Sequence, residues 1–228
     1  MSSLLLRIAG PMQSWGIQSR FSERDTGREP SKSGIIGLIC AAMGVSREDD
    51  ETVGKLGRLR MGVRVDKEGR LMRDFHTAGG GKWPGVKKYG VIKADGSAPA
   101  TVVSDRYYLA DAVFLVALDG PRNLLEKIER ALHEPVWPLF LGRKAFTPSE
   151  PLWLEDGLTE KAFDENLHSY RWLSVSENVG SLRLVLECPA RGERECMDQP
   201  VSFAPGRRRY TVRHVKTDWA AVDNLGVE

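Results

Sequence analysis

The chain has 228 residues, with 33 Lys and Arg against 31 Asp and Glu, so its formal charge is +2 with histidine neutral. Hydrophobic residues at 41% and charged residues at 28% describe a chain with enough apolar surface for a core, which excludes wholesale disorder. The longest apolar run, residues 35–45, is well short of the about 20 residues that cross a bilayer. Residues 1–7 lack the charged start of a secretory signal. Cys40, Cys188 and Cys196 are too few for a disulfide framework and are not spaced as zinc ligands, which points to a reducing, cytoplasmic compartment.

Residues 3–9 read as a buried strand that Gly10-Pro11 ends, because proline cannot continue a central strand. Residues 17–30 are polar and irregular. Ser31 then N-caps a helix with Ile35, Leu38, Ile39 and Ala42 on one face and Gly44 as its C-cap. Cys40 falls within the apolar run of that helix and reads as structural. Residues 59–65 alternate apolar and polar positions, residues 70–76 do so less cleanly, and Asp66-Lys67-Glu68-Gly69 between them predicts a hairpin. Residues 77–105, with Gly79-Gly80-Gly81, Pro84 and Pro99, are too long for an ordinary connection and suggest a functional or mobile insertion. Residues 107–118 predict one long strand. Pro121 opens an amphipathic helix through Leu124, Leu125, Ile128 and Leu132. Residues 135–155 hold turns and four prolines, and strand-like runs recur at 181–187 and 209–216. The order strand, helix, strand or hairpin, strand, helix, strand predicts an α+β fold. Its core, over residues 1–150, is a ferredoxin-like or RNA-recognition-like βαββαβ unit, and residues 151–228 form an appended, mainly β extension.

The near-neutral total hides uneven parts. Residues 55–106 hold twelve Lys and Arg against five Asp and Glu, and residues 206–217 hold five basic residues and no acid. Residues 107–168 are acidic, with eleven Asp and Glu against six Lys and Arg. The basic stretches are candidate phosphate-tracking surfaces; a solvated face with interleaved charges gives the same composition.

Seven local sequences, in order, carry a family resemblance. They are residues 4–16 (Leu-Leu-Leu-Arg-Ile-Ala-Gly-Pro-Met-Gln-Ser-Trp-Gly), 30–38 (Pro-Ser-Lys-Ser-Gly-Ile-Ile-Gly-Leu), Arg47-Glu-Asp-Asp50, Asp74-Phe-His-Thr77, Arg106-Tyr-Tyr-Leu109, Leu141-Gly-Arg-Lys144, and Phe203-Ala-Pro with Tyr210-Thr-Val212. Together they resemble the CasD subunit family of type I-E CRISPR Cascade, within the RAMP superfamily. The resemblance implies a core with a long β-hairpin thumb, mapped by position to residues 77–105. It implies a non-catalytic subunit that caps the backbone filament and holds the 5′ handle of the crRNA. It further implies contact with the Cascade backbone subunits and with the large PAM-reading subunit, and an indirect relation to target DNA. It calls for no cofactor, no metal and no membrane. A related type I-C branch cuts crRNA precursors, so a metal-independent endoribonuclease using His76 is the alternative.

Candidate RNA contacts follow from these motifs. Gln13, Ser14 and Trp15 lie on a turn between Gly10 and Gly16; Gln13 can pair with a base edge and Trp15 can stack, or both can serve the core. The resemblance favours RNA for Gln13 and burial for Trp15. Arg20, Arg24 and Arg28 step through a polar loop toward Lys32 and Ser33 at a helix N-terminus, a setting that suits phosphate, although Asp25 and Glu29 stand near enough in sequence to pair with the arginines. Arg106 beside Tyr107 and Tyr108 is a stacking arrangement in which alternation gives the two tyrosines opposite faces. Phe140, Arg143 and Lys144 surround Gly142 in a tight turn, with Phe140 open to stacking or to core packing. Lys82, Trp83, Lys87 and Lys88 on the thumb are expected to meet RNA or a neighbouring subunit.

Overall fold

Alternation along the first strand divides the core in two. Leu4, Leu6 and Ile8 point to one face and Leu5 to the other, and all four are buried. The computed structural model describes residues 2–16, 22–79, 90–93, 96–97, 99–174, 180–189 and 192–225. In chain order the elements are β1 (Ser2–Ala9), β2 (Met12–Gln13), β3 (Glu23–Arg24), α1 (Lys32–Met43), α2 (Asp50–Gly57), β4 (Arg60–Lys67), β5 (Arg70–Ala78), β6 (Val102–Ala110), β7 (Val113–Gly120), α3 (Arg122–His133), β8 (Trp153–Thr159), α4 (Phe163–Ser169), β9 (Ser181–Cys188), β10 (Arg194–Ser202) and β11 (Arg209–Ala221).

One antiparallel sheet runs β10-β11-β9-β4-β7-β1-β8. Its β8-β1-β7-β4 segment has the strand order of a βαββαβ unit, with α1 and α3 supplying the two crossovers. The larger core lies on the face where Leu4, Leu6, Met61, Val63, Phe114 and Val116 meet Ile35, Ile39, Leu125 and Ile128 of α1 and α3. On the other face Leu5, Leu115 and Ala117 pack with Phe163 and Leu167 of α4 and with Leu184 and Leu186 of β9. The caps expected for α1 are present: the Ser31 hydroxyl accepts from the Gly34 amide at 3.3 Å, and Gly44 adopts φ +68°.

Two expectations about connectivity are corrected. The predicted hairpin over residues 59–76 does not form, because β4 pairs with β7 and β9 in the large sheet while β5 leaves to pair with β6. The predicted single strand 107–118 is broken at the same place. Asp111 takes φ +57°, and the chain passes from β6 in a second sheet to β7 in the first. Aspartate tolerates this left-handed backbone better than most residues. The second sheet contains β5 and β6, with β2 and β3 both pairing β6 on its other side. Its β5–β6 arms pair from Arg70↔Ala110 to Ala78↔Val102, so the hairpin stalk begins before the residue 77 expected for the thumb. Residues 151–228 do more than pack on the core: β8 pairs β1 and β9 pairs β4, so the βαββαβ unit runs past residue 150 into one continuous sheet.

Candidate nucleic-acid interface

The turn after β1 is a junction of core residues and not a base-reading loop. Gln13 is 0% exposed; its amide Nε2 donates to the Ala112 carbonyl at 2.7 Å and its Oε1 accepts from Trp15 Nε1 at 3.1 Å. Trp15, 1% exposed, fills the space that a side chain at Gly34 would need. The RNA role expected for Gln13 is therefore corrected, because its hydrogen-bonding groups are spent on tying β2 to the β6–β7 bend. Lys32 is corrected for the same kind of reason. Its side chain is 0% exposed, and Nζ donates to both Glu187 oxygens, at 3.0 and 2.9 Å, and to Gln199 Oε1 at 3.2 Å. The Lys32 amide, one of the free donors at the start of α1, is capped by Asp198, which also takes two hydrogen bonds from Arg213. Burial lowers the Lys32 ammonium pKa, with Glu187 opposing the shift. Lys32 and Arg213 thus fasten α1 to β9, β10 and β11 and do not reach solvent phosphate.

Other predicted residues do converge. A cleft of about 350 Å³ is lined by Ser14, Arg24, Ser33, Arg106 and Arg143 from the sequence-derived set, together with Ser31, Asp25, Phe203 and Tyr210. Parallel pairing of β3 on β6 sets Arg24 opposite Arg106. The turn carrying Arg143 docks beneath them, with the Ser14 amide donating to the Leu141 carbonyl at 3.0 Å. Arg143 Nη2 donates to the Tyr107 carbonyl at 2.7 Å and to the Arg24 carbonyl at 3.4 Å, and its guanidinium lies over the Phe146 ring. Burial, and then the positive charge of Arg106, lower the Arg143 pKa. Among the described residues, neither Arg24 nor Arg106 has an ion-pair partner within 4 Å; Arg106 Nε donates only to the Ser104 hydroxyl at 3.0 Å. Gathered guanidiniums have the chemistry to bind an anion, with Asp25 the carboxylate in the same lining. The neighbouring cleft of about 280 Å³ is different, because its Arg183, Arg194 and Arg213 are matched by Glu29 and Asp198.

Tyr107 contributes its carbonyl to this arrangement, and its ring does not line the cleft. Tyr108 packs on Phe146, with ring centroids 5.7 Å apart. Phe140 is half-buried and Lys144 exposed, and neither lines the cleft. His76 is on the exposed β5 arm with Nδ1 3.6 Å from Asp74, also outside the cleft. Arg20, Lys82, Trp83, Lys87 and Lys88 lie outside the described residues. Sequence reasoning missed Phe203 and Tyr210 as cleft residues, although both stand in the last of the seven matched segments. Among the described residues, no group of three or more His, Cys, Asp or Glu side chains could hold a metal ion, and no helix is long and apolar enough to cross a membrane.

Glu29 anchors the segment that presents Arg24. Its carboxylate accepts from Arg194 at 2.6 Å and from Arg183 at 3.1 Å. Burial alone would raise the carboxyl pKa, but the two arginines outweigh it and hold the group below its ordinary value of 4.5. A depressed folded-state pKa means that the stabilisation is complete above the unfolded value and is lost as pH falls through the folded one. Glu29→Gln is therefore expected to lower the thermal midpoint at neutral pH. The two proteins should converge as the pH falls below about 4.5. Parallel pH profiles would remove this anchoring role.

The fold and cleft define the class: an RNA-recognition-like α+β protein with an arginine-lined groove beside a projecting hairpin. A family model described as CRISPR-associated protein (Cas_Cas5) matches residues 3–216. The chain belongs to this Cas5 family. It is 33% identical over 167 residues to the CRISPR system Cascade subunit CasD of Escherichia coli (strain K12), covering 67% of this chain and 70% of that protein. A solved structure described as a crystal structure of a Cas protein superposes with TM-score 0.76 at 38% identity, covering 98% of this chain and 97% of the other. A chain of a CRISPR RNA-guided surveillance complex superposes with TM-score 0.77 at 38% identity, covering 96% and 90%.

Proposed function

We propose that this chain is the non-catalytic Cascade subunit that binds the 5′ handle of the crRNA, caps the backbone filament and so supports RNA-guided DNA targeting in antiviral defence. Arg24, Arg106 and Arg143 in one cleft carry this reading, because phosphate contacts of this kind position an RNA end without requiring a base code. The CasD relative and the surveillance-complex structure support the assembly. The β5–β6 stalk supports a thumb role. Leu71, Phe75 and Val103 share one face of it and are exposed, Phe75 by 67%, as suits a surface meeting a neighbouring backbone subunit. The large PAM-reading subunit is assigned to the same assembly, with target DNA reached through the guide. The chain is read as acting by binding, in the cytoplasm and without cofactor; His76 is not among the residues that line the arginine cleft.

The test is titration of the full chain with fluorescein-labelled handle RNA. The double variant Arg24→Ala/Arg106→Ala is expected to bind more weakly while keeping the wild-type thermal midpoint, because neither side chain has an ion-pair partner among the described residues. Unchanged affinity in the double variant would overturn the reading.

A further inference from the structure

The cleft also has an aromatic lining, Phe203 and Tyr210, with a different chemistry. Phe203 packs against the larger core, with its ring edge 4.0 Å from where a side chain at Gly37 would begin on α1. Tyr210, the second residue of β11, meets Phe203 edge to face, with centroids 6.5 Å apart and planes at 62°. An aromatic ring braced by an anchored neighbour holds its orientation, yet Tyr210 remains 39% exposed and lines the cleft. The volume of about 350 Å³ is at the small end for a ligand site and has room for one nucleotide unit. Ser33, partly exposed in the same lining, can hydrogen-bond a ribose or a base edge, while the Ser14 and Ser31 hydroxyls are engaged by the Tyr107 carbonyl and the Gly34 amide.

Resting on the RNA-binding reading of this cleft, we infer that it holds one unstacked nucleotide of single-stranded RNA, with the phosphate on Arg24, Arg106 and Arg143 and the base on the ring of Tyr210. A duplex cannot supply this ligand, because its bases are stacked on each other and their faces are closed. A free phosphate or a nucleic-acid backbone without bases would use only the arginine half. Tyr210 is then the residue that makes the cleft a nucleotide site, and Phe203 is the residue that positions it.

The experiment is fluorescence anisotropy on the full chain with fluorescein-labelled single-stranded RNA of the repeat-derived handle. A matched set of the same RNAs carries one abasic nucleotide at each position in turn. Tyr210→Ala is expected to weaken binding by about 5- to 150-fold, the range for losing one base stack. Its salt dependence should stay that of the wild type, because no phosphate contact is lost. Tyr210→Phe should bind as the wild type. One abasic position should reproduce the loss in the wild type and add nothing in Tyr210→Ala. The inference is overturned if Tyr210→Ala binds normally, or if every abasic position weakens that variant as much as it weakens the wild type. Failure of the underlying reading looks different: the wild type would not bind the RNA, or replacing the arginines would leave its salt dependence unchanged.

Discussion

Arg64→Ala is expected to destabilise the fold by about 3–5 kcal/mol, a large share of the about 5–15 kcal/mol that holds an ordinary domain together. Arg64 is on β4 and is completely buried. Its guanidinium grips Asp66 through two hydrogen bonds, at 2.7 and 2.9 Å. The remaining donors reach the carbonyls of Leu167, Tyr170 and Arg171, at 3.1, 2.6 and 2.7 Å, where α4 ends. Asp66 in turn accepts from the Leu173 amide at 2.8 Å. Alanine would leave a buried carboxylate and three carbonyls without these partners, and leaving such groups unpaired costs far more than an intact pair contributes. Lysine would not restore the arrangement, because a single ammonium cannot span a bidentate carboxylate and three carbonyls. Urea denaturation is the measurement: the midpoint should fall steeply in Arg64→Ala and only partly recover in Arg64→Lys. A wild-type midpoint in Arg64→Ala would contradict this role.

Gly142→Ala is expected to cost about 2–5 kcal/mol, combining roughly 1–2 for a left-handed residue with about 1–3 for overpacking. Gly142 has φ +94°, and a Cβ there would stand 1.8 Å from the Ser14 carbonyl oxygen. That oxygen belongs to backbone, so the clash cannot be relieved by turning a side chain aside. The turn would have to lift from Ser14, taking with it the Arg143 contacts that join the Tyr107 and Arg24 carbonyls. The same variant should therefore lose stability and RNA affinity together. A Gly142→Ala protein with normal denaturation and normal binding would show that the turn is not seated as described.

The elements were legible where one local rule decided them. Ser31 and Gly44 bracket α1 as read, and the apolar face of α3 packs where periodicity put it. The β4–β5 hairpin and the single strand 107–118 were misread because strand pairing is non-local. Nothing in residues 59–76 states that β4 will pair with β9 more than a hundred residues away, or that Asp111 will turn the chain between sheets. The short helices α2 and α4 and the two-residue strands β2 and β3 carry too little periodicity to announce themselves. For the site, a motif showed which positions matter but not why. Gln13 and Lys32 stand in two of the matched segments, yet both are buried and spend their polar atoms on the fold. A buried lysine and an exposed one have the same letter, and only the acids of β9 and β10 decide between them. The arginines were legible as cations, but their convergence with Phe203 and Tyr210 depends on sheet topology.

The salt dependence of handle-RNA affinity tests the RNA-binding role of the arginine cleft most directly, because each phosphate contact to a single strand contributes about 0.7 to the slope of log affinity against log salt. The wild-type chain should bind with a steep negative slope. Arg24→Ala/Arg106→Ala should be shallower by about 0.7, the equivalent of one lost phosphate contact. Equal slopes in the two proteins, with the same affinity at every salt concentration, would contradict it and place the crRNA on another surface.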